Sequence, residues 1–226
     1  CITNNLSFTN IKLIKEDAVL NFCRHISENV YPGRGIVVGR NHENSWIVIY
    51  WIMGRSSNSR NRVFTYKNLI LRTEAICPST VEDKSLIVYN AMRDLGDSIV
   101  VSNGKHTDTI YKGLVEGKSF YSALHSEKHE SDSPHYTPRI SGIFRRGERA
   151  MTLSIISKSD FSAKKSEYRF YSYTDIAPGY GYCLTTYMKD GDPLPSFIGN
   201  PLLFPLQGNA EQIADYYWLE LNKDNR

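Results

Sequence analysis

Between Asp97 and Ile110 the chain reads DSIVVSNGKHTDTI, its densest run of residue types able to do chemistry. Ser98–Val101 is a short, β-branched apolar run that predicts a buried strand. Ser102, Asn103 and Gly104 follow, and Asn and Gly permit a sharp turn. Lys105, His106, Thr107 and Asp108 come next, then a helical pattern through Val115. Such an order brings backbone N–H groups and polar side chains onto one small volume, a common way to build a ligand site. The competing reading is an ordinary strand-to-helix connection with Thr107 or Asp108 as its N-cap.

A second feature is charge. No acidic residue lies between Glu43 and Glu74, whereas Arg55, Arg60, Arg62, Lys67 and Arg72 all do. Solvated arginines account for this blandly. A phosphate site is the sharper reading, because guanidinium forks match phosphate oxygens in pairs.

The surrounding elements must position these groups. Lys15–Ser27 carries Val19, Phe22, Cys23 and Ile26 at a helical period, with His25 placed at the surface or boundary. A strand through Val38, a turn near Asn41 and Asn44, and the apolar run Ser45–Met53 predict a hairpin. The second strand delivers the chain into GRSSNSRNRVF, a polar, basic loop where a scaffold places ligand contacts. Asn68–Ile76 reads as a strand, and Leu86–Leu95 as a short helix closed by Gly96. A helix is expected over Ser119–Glu127, then an exposed polar loop to Pro138. From Arg139 the character is β, with a hairpin near Arg146–Gly147, strands in SEYRFYSYTDI and GYGYCLTTYM, and a proline-rich coil from Pro193 to Pro205. Asn209 and Gln212 form a capping box for a last helix with Ile213, Tyr217 and Leu221 on one face. About seven or eight strands and four or five helices, without βαβ alternation, favour an α+β fold of two stacked antiparallel sheets with helices outside. One domain over 1–226 is expected.

Bulk properties exclude several classes. The 226 residues are 41% hydrophobic and 23% charged, ordinary for a globular protein. A net charge of +3 is too small to imply nucleic-acid or membrane binding. No run approaches the ~20 apolar residues of a membrane span, and no apolar leader is visible. Cys1, Cys23, Cys77 and Cys183 lack CxxC spacing, so neither zinc nor a disulfide framework is indicated, and a cytoplasmic setting is expected.

Three stretches resemble the archaeal-type IMP cyclohydrolase family: YPGRGIVVGR, WIMGRSSNSRNRVF, and VYNAMR with SIVVSNGKHTDTI. TPRISGI (137–143) continues it more thinly, and residues 1–30 stand as an N-terminal extension with a helix. The resemblance implies closure of 5-formamidoimidazole-4-carboxamide ribotide to IMP and water, a reaction classed with hydrolases of cyclic amidines. It also implies a four-layer αββα sandwich like the N-terminal nucleophile hydrolases, without use of an N-terminal nucleophile. No cofactor or metal is expected.

That chemistry needs a tethered amide held in attack geometry, a donor for the developing oxyanion, and a proton carrier. Arg55, Arg60 and Arg62, with Ser56 and Asn58, are candidates for the 5′-phosphate or ribose, and Arg34 for the same anion or the carboxamide. Ser102, Asn103 and Gly104 can hydrogen-bond the base and formyl oxygen, with Thr107 beside them. His106 and Asp108 are the proposed proton carriers, with Lys105 or Tyr89 as alternatives. Tyr89 and Asn90 are placed on the short helix as positioning groups, and Thr137 and Arg139 at one side.

Other readings compete. Cys1 suggests an N-terminal amidohydrolase, but the first core strand lies some thirty residues later. His125, His129 and His135 suggest a metal, but sit in a segment read as solvated. The 15 tyrosines suggest base stacking on nucleic acid, which strand alternation explains more simply. A non-catalytic purine-nucleotide-binding protein is the main rival. Long apolar strands and the proline-rich coil leave room for a homo-oligomeric interface.

Overall fold

The computed structural model describes residues 3–80 and 87–226, apart from the side chains of 3–12, Asn58 and Thr80. Two antiparallel sheets form its centre. The four-stranded sheet has β1 (Gly35–Arg40) paired on one side with β2 (Trp46–Trp51) and on the other with β10 (Tyr180–Thr185), which carries β11 (Leu202–Pro205). The seven-stranded sheet runs β3 (Val63–Lys67), β4 (Ile70–Glu74), β5 (Tyr89–Asp94), β6 (Ser98–Ser102), β7 (Arg139–Arg145), β8 (Met151–Ser159) and β9 (Ser162–Tyr173) in chain order.

Strand alternation sorts the core into three zones. In β1, Ile36 and Val38 face the other sheet, where they meet Val101, Ile140, Leu153 and Ile155. Val37 points outward and packs with Phe22, Ile26, Ile213 and Tyr217 under two helices, α1 (Thr3–Phe22) and α5 (Ala210–Glu220). In the larger sheet, Val100, Ile143 and Ile156 face outward against Ile110, Phe120 and Leu124 of α3 (His106–Val115) and α4 (Phe120–Leu124). Successive strand residues alternate between faces, so each strand serves an inter-sheet core and a helix-covered core. The order is helices, sheet, sheet, helices.

The expected β1–β2 hairpin forms in the register Gly35↔Trp51 to Arg40↔Trp46. Asn41 tightens its turn by accepting the Ser45 N–H at 2.8 Å, and Asn44 takes φ 67. The capping box of α5 is present: Asn209 Oδ1 accepts the Gln212 N–H at 2.9 Å, and Gln212 Oε1 accepts the Asn209 N–H at 3.0 Å.

Several expectations are corrected. The helix expected over Leu86–Leu95 is strand β5, with residues 81–86 outside the described part. Pairing on both sides, to β4 and β6, overrides the local helical pattern. Gly96, at φ 91, is the first central residue of a two-residue hairpin loop closed by Leu95 N–H to Ser98 O at 2.9 Å. The described residues hold eleven strands, more than expected: β4 falls in the expected Asn68–Ile76 strand, whereas β3 follows directly on the basic loop, β5 replaces the expected helix and β11 lies in the expected proline-rich coil. The first helix begins at Thr3 and ends in a π-helical turn, Cys23–Ser27. His25 in that turn is buried rather than at the surface. Its Nε2 lies 2.8 Å from Thr185 Oγ1, whose own proton goes to Tyr187 O, so the imidazole is the donor.

Candidate active site

The 35/51/185 end of the small sheet and the 102/139 end of the large one meet around Arg34. Its Nη1 donates to Asn103 O at 3.0 Å and lies 3.2 Å from Glu130 Oε1, while Nη2 donates to Glu130 Oε2 at 3.3 Å. Both side chains are about nine-tenths covered, at 12% and 10% exposure. Burial is the largest influence and works against the Arg34 charge, but Glu130, Tyr89, Tyr50 and Tyr187 together outweigh it and keep the guanidinium protonated. Local backbone makes the approach possible. Gly33 sits at φ 75 with no room for a Cβ, which would fall 2.3 Å from Thr186 Oγ1. Thr186 then clamps Arg34, accepting its N–H at 3.1 Å and donating its own to Arg34 O at 2.9 Å.

Tyrosines surround this pair. Tyr50 and Tyr89 face each other across the two sheets, their hydroxyls 2.6 Å apart. Burial, with Tyr89 beside it, holds the Tyr50 hydroxyl well above its ordinary titration range. Thr137 donates to the Asp132 carboxylate, so the Tyr187 hydroxyl, 2.5 Å from Thr137 Oγ1, must be the donor in their contact. Burial pushes Tyr187 up to about 12. Tyr31 stacks on Tyr187 at 5.9 Å between ring centres.

Asn103 is fully buried and bound to backbone: Oδ1 accepts the Ile140 N–H and Nδ2 donates to Pro138 O, both at 2.9 Å. Ser102 Oγ and Thr107 Oγ1 lie against each other and against Gly104 O, so one hydroxyl donates to the other and the remaining proton goes to Gly104 O. Helix α3 starts at His106, ahead of the expected cap, and no side chain caps it. Gly104 is needed for space rather than for positive φ, since a Cβ there would lie 2.8 Å from Arg139 Nη1.

His106 is completely buried. Its Nε2 lies 3.2 Å from Ile140 O, which can only accept, and its Nδ1 lies 3.2 Å from Arg139 Nη1, which can only donate. One neutral tautomer satisfies both contacts. Burial, and then the Arg139 charge, hold its pKa well below the usual histidine value. Arg139 is further tied by Nε to Lys128 O at 2.7 Å. Proton transfer by His106 would require one of these bonds to open.

Asp108 lies elsewhere. Asn90 Nδ2 reaches both its oxygens at 2.9 and 3.1 Å, and Arg93 Nη1 donates to Oδ1 at 2.8 Å. Consecutive strand residues face opposite sides, so Tyr89 joins the inter-sheet cluster while Asn90 faces α3. The two do not share the helical surface expected of them. Lys105 is exposed.

The basic loop divides. Arg55 is exposed and bound to Asp190 Oδ1 and Gly191 O, each at 2.9 Å. Ser56 bonds with Ser59 inside the turn of α2 (Ser57–Arg60). The Asn58 side chain lies outside the described residues. Arg60 and Arg62 line a cavity of about 400 Å³, and Arg62 Nε and Nη1 are shielded from water without a hydrogen-bond partner. Phe64, on the same cavity, packs edge-on to Tyr50 at 5.8 Å, which links this cavity to the tyrosines.

Tyr50, Tyr31 and Tyr187 carry no sequence signal of a site role, and Glu130 and Asp132 stand out only as acids beside the histidines of a segment read as solvated. The 125–138 segment was expected to be exposed, yet His129 and Glu130 are buried. His129 is held by Ser166 and Ala163 O. No metal-binding group of His, Cys, Asp or Glu occurs among the described residues, and no helix there is long and apolar enough to cross a membrane. Cys1 lies outside the described residues.

The model of a family described as IMP cyclohydrolase-like protein matches residues 31–226. Among similar proteins, the IMP cyclohydrolase of Methanocaldococcus jannaschii is 31% identical over 193 residues, 83% of this chain and 85% of that protein. That of Methanococcus maripaludis is 31% identical over 165 residues, 70% of this chain and 75% of its own length. The IMP cyclohydrolase of Methanothrix thermoacetophila is 28% identical over 166 residues, 72% and 76% of the two chains.

Proposed function

The chain belongs to the IMP cyclohydrolase-like family, and on that premise we propose that it closes the ring of 5-formamidoimidazole-4-carboxamide ribotide to give IMP. The observation that carries this reading is the buried Arg34 guanidinium, held by Asn103 O and Glu130 beside the Tyr50–Tyr89 pair. It supplies a fixed positive charge in a low-dielectric position, which is what a developing oxyanion requires.

In the proposed reaction the carboxamide nitrogen attacks the formyl carbon and the formyl oxygen becomes a hydroxyl, taking up the proton the nitrogen loses. The hydroxyl then leaves as water with the proton of the former formamide N–H, and the C=N bond forms. Arg34 stabilises the oxygen. One of the Tyr50 and Tyr89 hydroxyls donates to the other, which leaves a single proton for the substrate. Asn103 and Gly104 shape the turn against which the base lies. His106 orients Arg139, and Asp108 ties α3 to β5 through Asn90 and Arg93. Arg62 with Arg60 receives the phosphate, Arg55 and Ser56 bordering that loop. Tethering within one substrate lets orientation supply much of the rate.

The helix–sheet–sheet–helix order is compatible with a fold like that of the N-terminal nucleophile hydrolases, acting without such a nucleophile. We read residues 1–226 as one domain with 1–30 as an extension, which the start of the family match at residue 31 supports. The test adds purified protein to the ribotide without added metal and follows IMP by absorbance. IMP formation lost in Arg34→Met supports the reading. IMP binding without turnover would instead favour the non-catalytic nucleotide-binding protein.

A further inference from the structure

The cavity beside Arg62 has a second wall from a distant part of the chain. Trp218 of α5, and Asn225 and Arg226 beyond it, face Arg60 and Arg62 across it, and no carboxylate side chain lines it. Arg60, Arg62 and Arg226 bring three like charges to one cavity, a placement that an anion there would stabilise. Two buried nitrogens of Arg62 lack a partner, which points to the same missing charge.

The second wall is fastened to the first. Gly54 N–H donates to Asn225 O at 2.8 Å, Arg60 Nη1 donates to Asp224 O at 3.0 Å, and Asn225 Nδ2 reaches Val30 O at 3.3 Å. The Arg226 guanidinium lies 4.8 Å from the Trp218 ring centre, and its Nη1 also donates to Trp218 O. An arginine stacked and bonded in this way has lost most of its rotamer freedom before a ligand arrives.

We propose that Arg226, positioned by Trp218 and the 222–226 turn, is a third binding cation for the phosphate of the nucleotide. This rests on the cyclohydrolase reading for the ligand's identity. The segment anchored to Gly54 and Arg60 thereby sets the preference for a phosphorylated substrate over the free nucleoside.

The experiment titrates IMP and inosine into wild type, Arg226→Gln, Arg226→Lys and Arg62→Gln, with melting temperature as the folding control. Losing one charge-assisted phosphate contact should weaken IMP binding about tenfold in Arg226→Gln. Arg226→Lys should recover most of that loss, and inosine binding should not move. Unchanged IMP binding in Arg226→Gln, with Arg62→Gln impaired, would overturn the proposal and leave the ring-closure reading standing. Equal weakening of IMP and inosine would also overturn it, because the segment would then act by packing alone. Failure of the wild type both to bind IMP and to close the ribotide would remove the cyclohydrolase reading and this proposal with it.

Discussion

Replacing His106 separates a proton carrier from a group that orients Arg139. His106→Ala deletes a fully buried ring and two contacts, Nε2 to Ile140 O and Nδ1 to Arg139 Nη1, both at 3.2 Å. An unpaired carbonyl and an unpaired guanidinium N–H cost about 1–3 kcal/mol each when shielded from water, and the void adds to this. Arg139 keeps its bond to Lys128 O at 2.7 Å and its pairing with Glu127 Oε2 at 3.8 Å, which reduces its share. A net loss of about 4 kcal/mol is expected, a fall of roughly 8–16 °C in melting temperature for a chain of this size. His106→Asn keeps a donor and an acceptor and should lose about half as much.

The decisive assay is the pH dependence of kcat/KM for ring closure in wild type and His106→Asn. Burial and the Arg139 charge keep the imidazole neutral well below its ordinary range, so it should not titrate in the working range. If His106 only orients Arg139, kcat/KM falls about 10- to 100-fold at every pH and the profile keeps its shape. An acid limb in the wild type that disappears in His106→Asn would refute the reasoning and restore His106 as the proton carrier.

Gly104→Ala places a Cβ 2.8 Å from Arg139 Nη1, the movable end of a flexible side chain. It should therefore cost only about 1 kcal/mol of stability by chemical denaturation, yet reduce kcat/KM about tenfold; normal turnover would show that Arg139 need not sit there. Glu130→Gln leaves the Arg34 charge without its partner and should cost about 3–5 kcal/mol, whereas Arg34→Met/Glu130→Leu together should recover most of that. A single variant that melts within about 2 °C of wild type would contradict the burial of the pair. For His25, burial lowers the native pKa to about 4, while the unfolded chain takes up its proton near 6.5. The unfolded state therefore binds more protons in that window, and stability falls by up to roughly 3 kcal/mol as pH drops from 6.5 to about 4. Urea midpoints across the window should fall less steeply in His25→Gln; an unchanged slope would exclude His25, leaving His106, whose shift has the same sign, as the source.

Features specified by neighbouring residues were legible in the sequence. The β1–β2 hairpin follows from two apolar runs around Asn41 and Asn44, and the α5 cap from Asn209 with Gln212. The basic loop and the SNGKHTD turn were located by charge and by turn chemistry. What escaped is set by partners far along the chain. Tyr89–Asp94 carries a helical pattern, and pairing with β4 and β6 makes it a strand, turning Tyr89 and Asn90 to opposite faces. Glu130 looks like one more solvated acid until Arg34, 96 residues earlier, is brought against it. Tyr50 looks like part of an apolar run because its only polar atom is satisfied across the sheets by Tyr89.

His106 was the most conspicuous titratable group in the sequence, and the structure makes it among the least able to titrate. The reason is economy of hydrogen bonds. A fully buried imidazole beside an arginine must accept from that arginine, so its other nitrogen must donate, and the Ile140 carbonyl takes that proton. Catalytic proton transfer is then better sought among groups whose protons can turn toward a ligand. The hydroxyls of Tyr89 and Tyr50 fit this requirement, since one donates to the other and a single proton remains to be shared. Both hydroxyls act on the Arg34 charge, and Tyr50 packs against Phe64 on the cavity lined by Arg60 and Arg62, so under the proposed ring closure that shared proton lies on the path from one to the other.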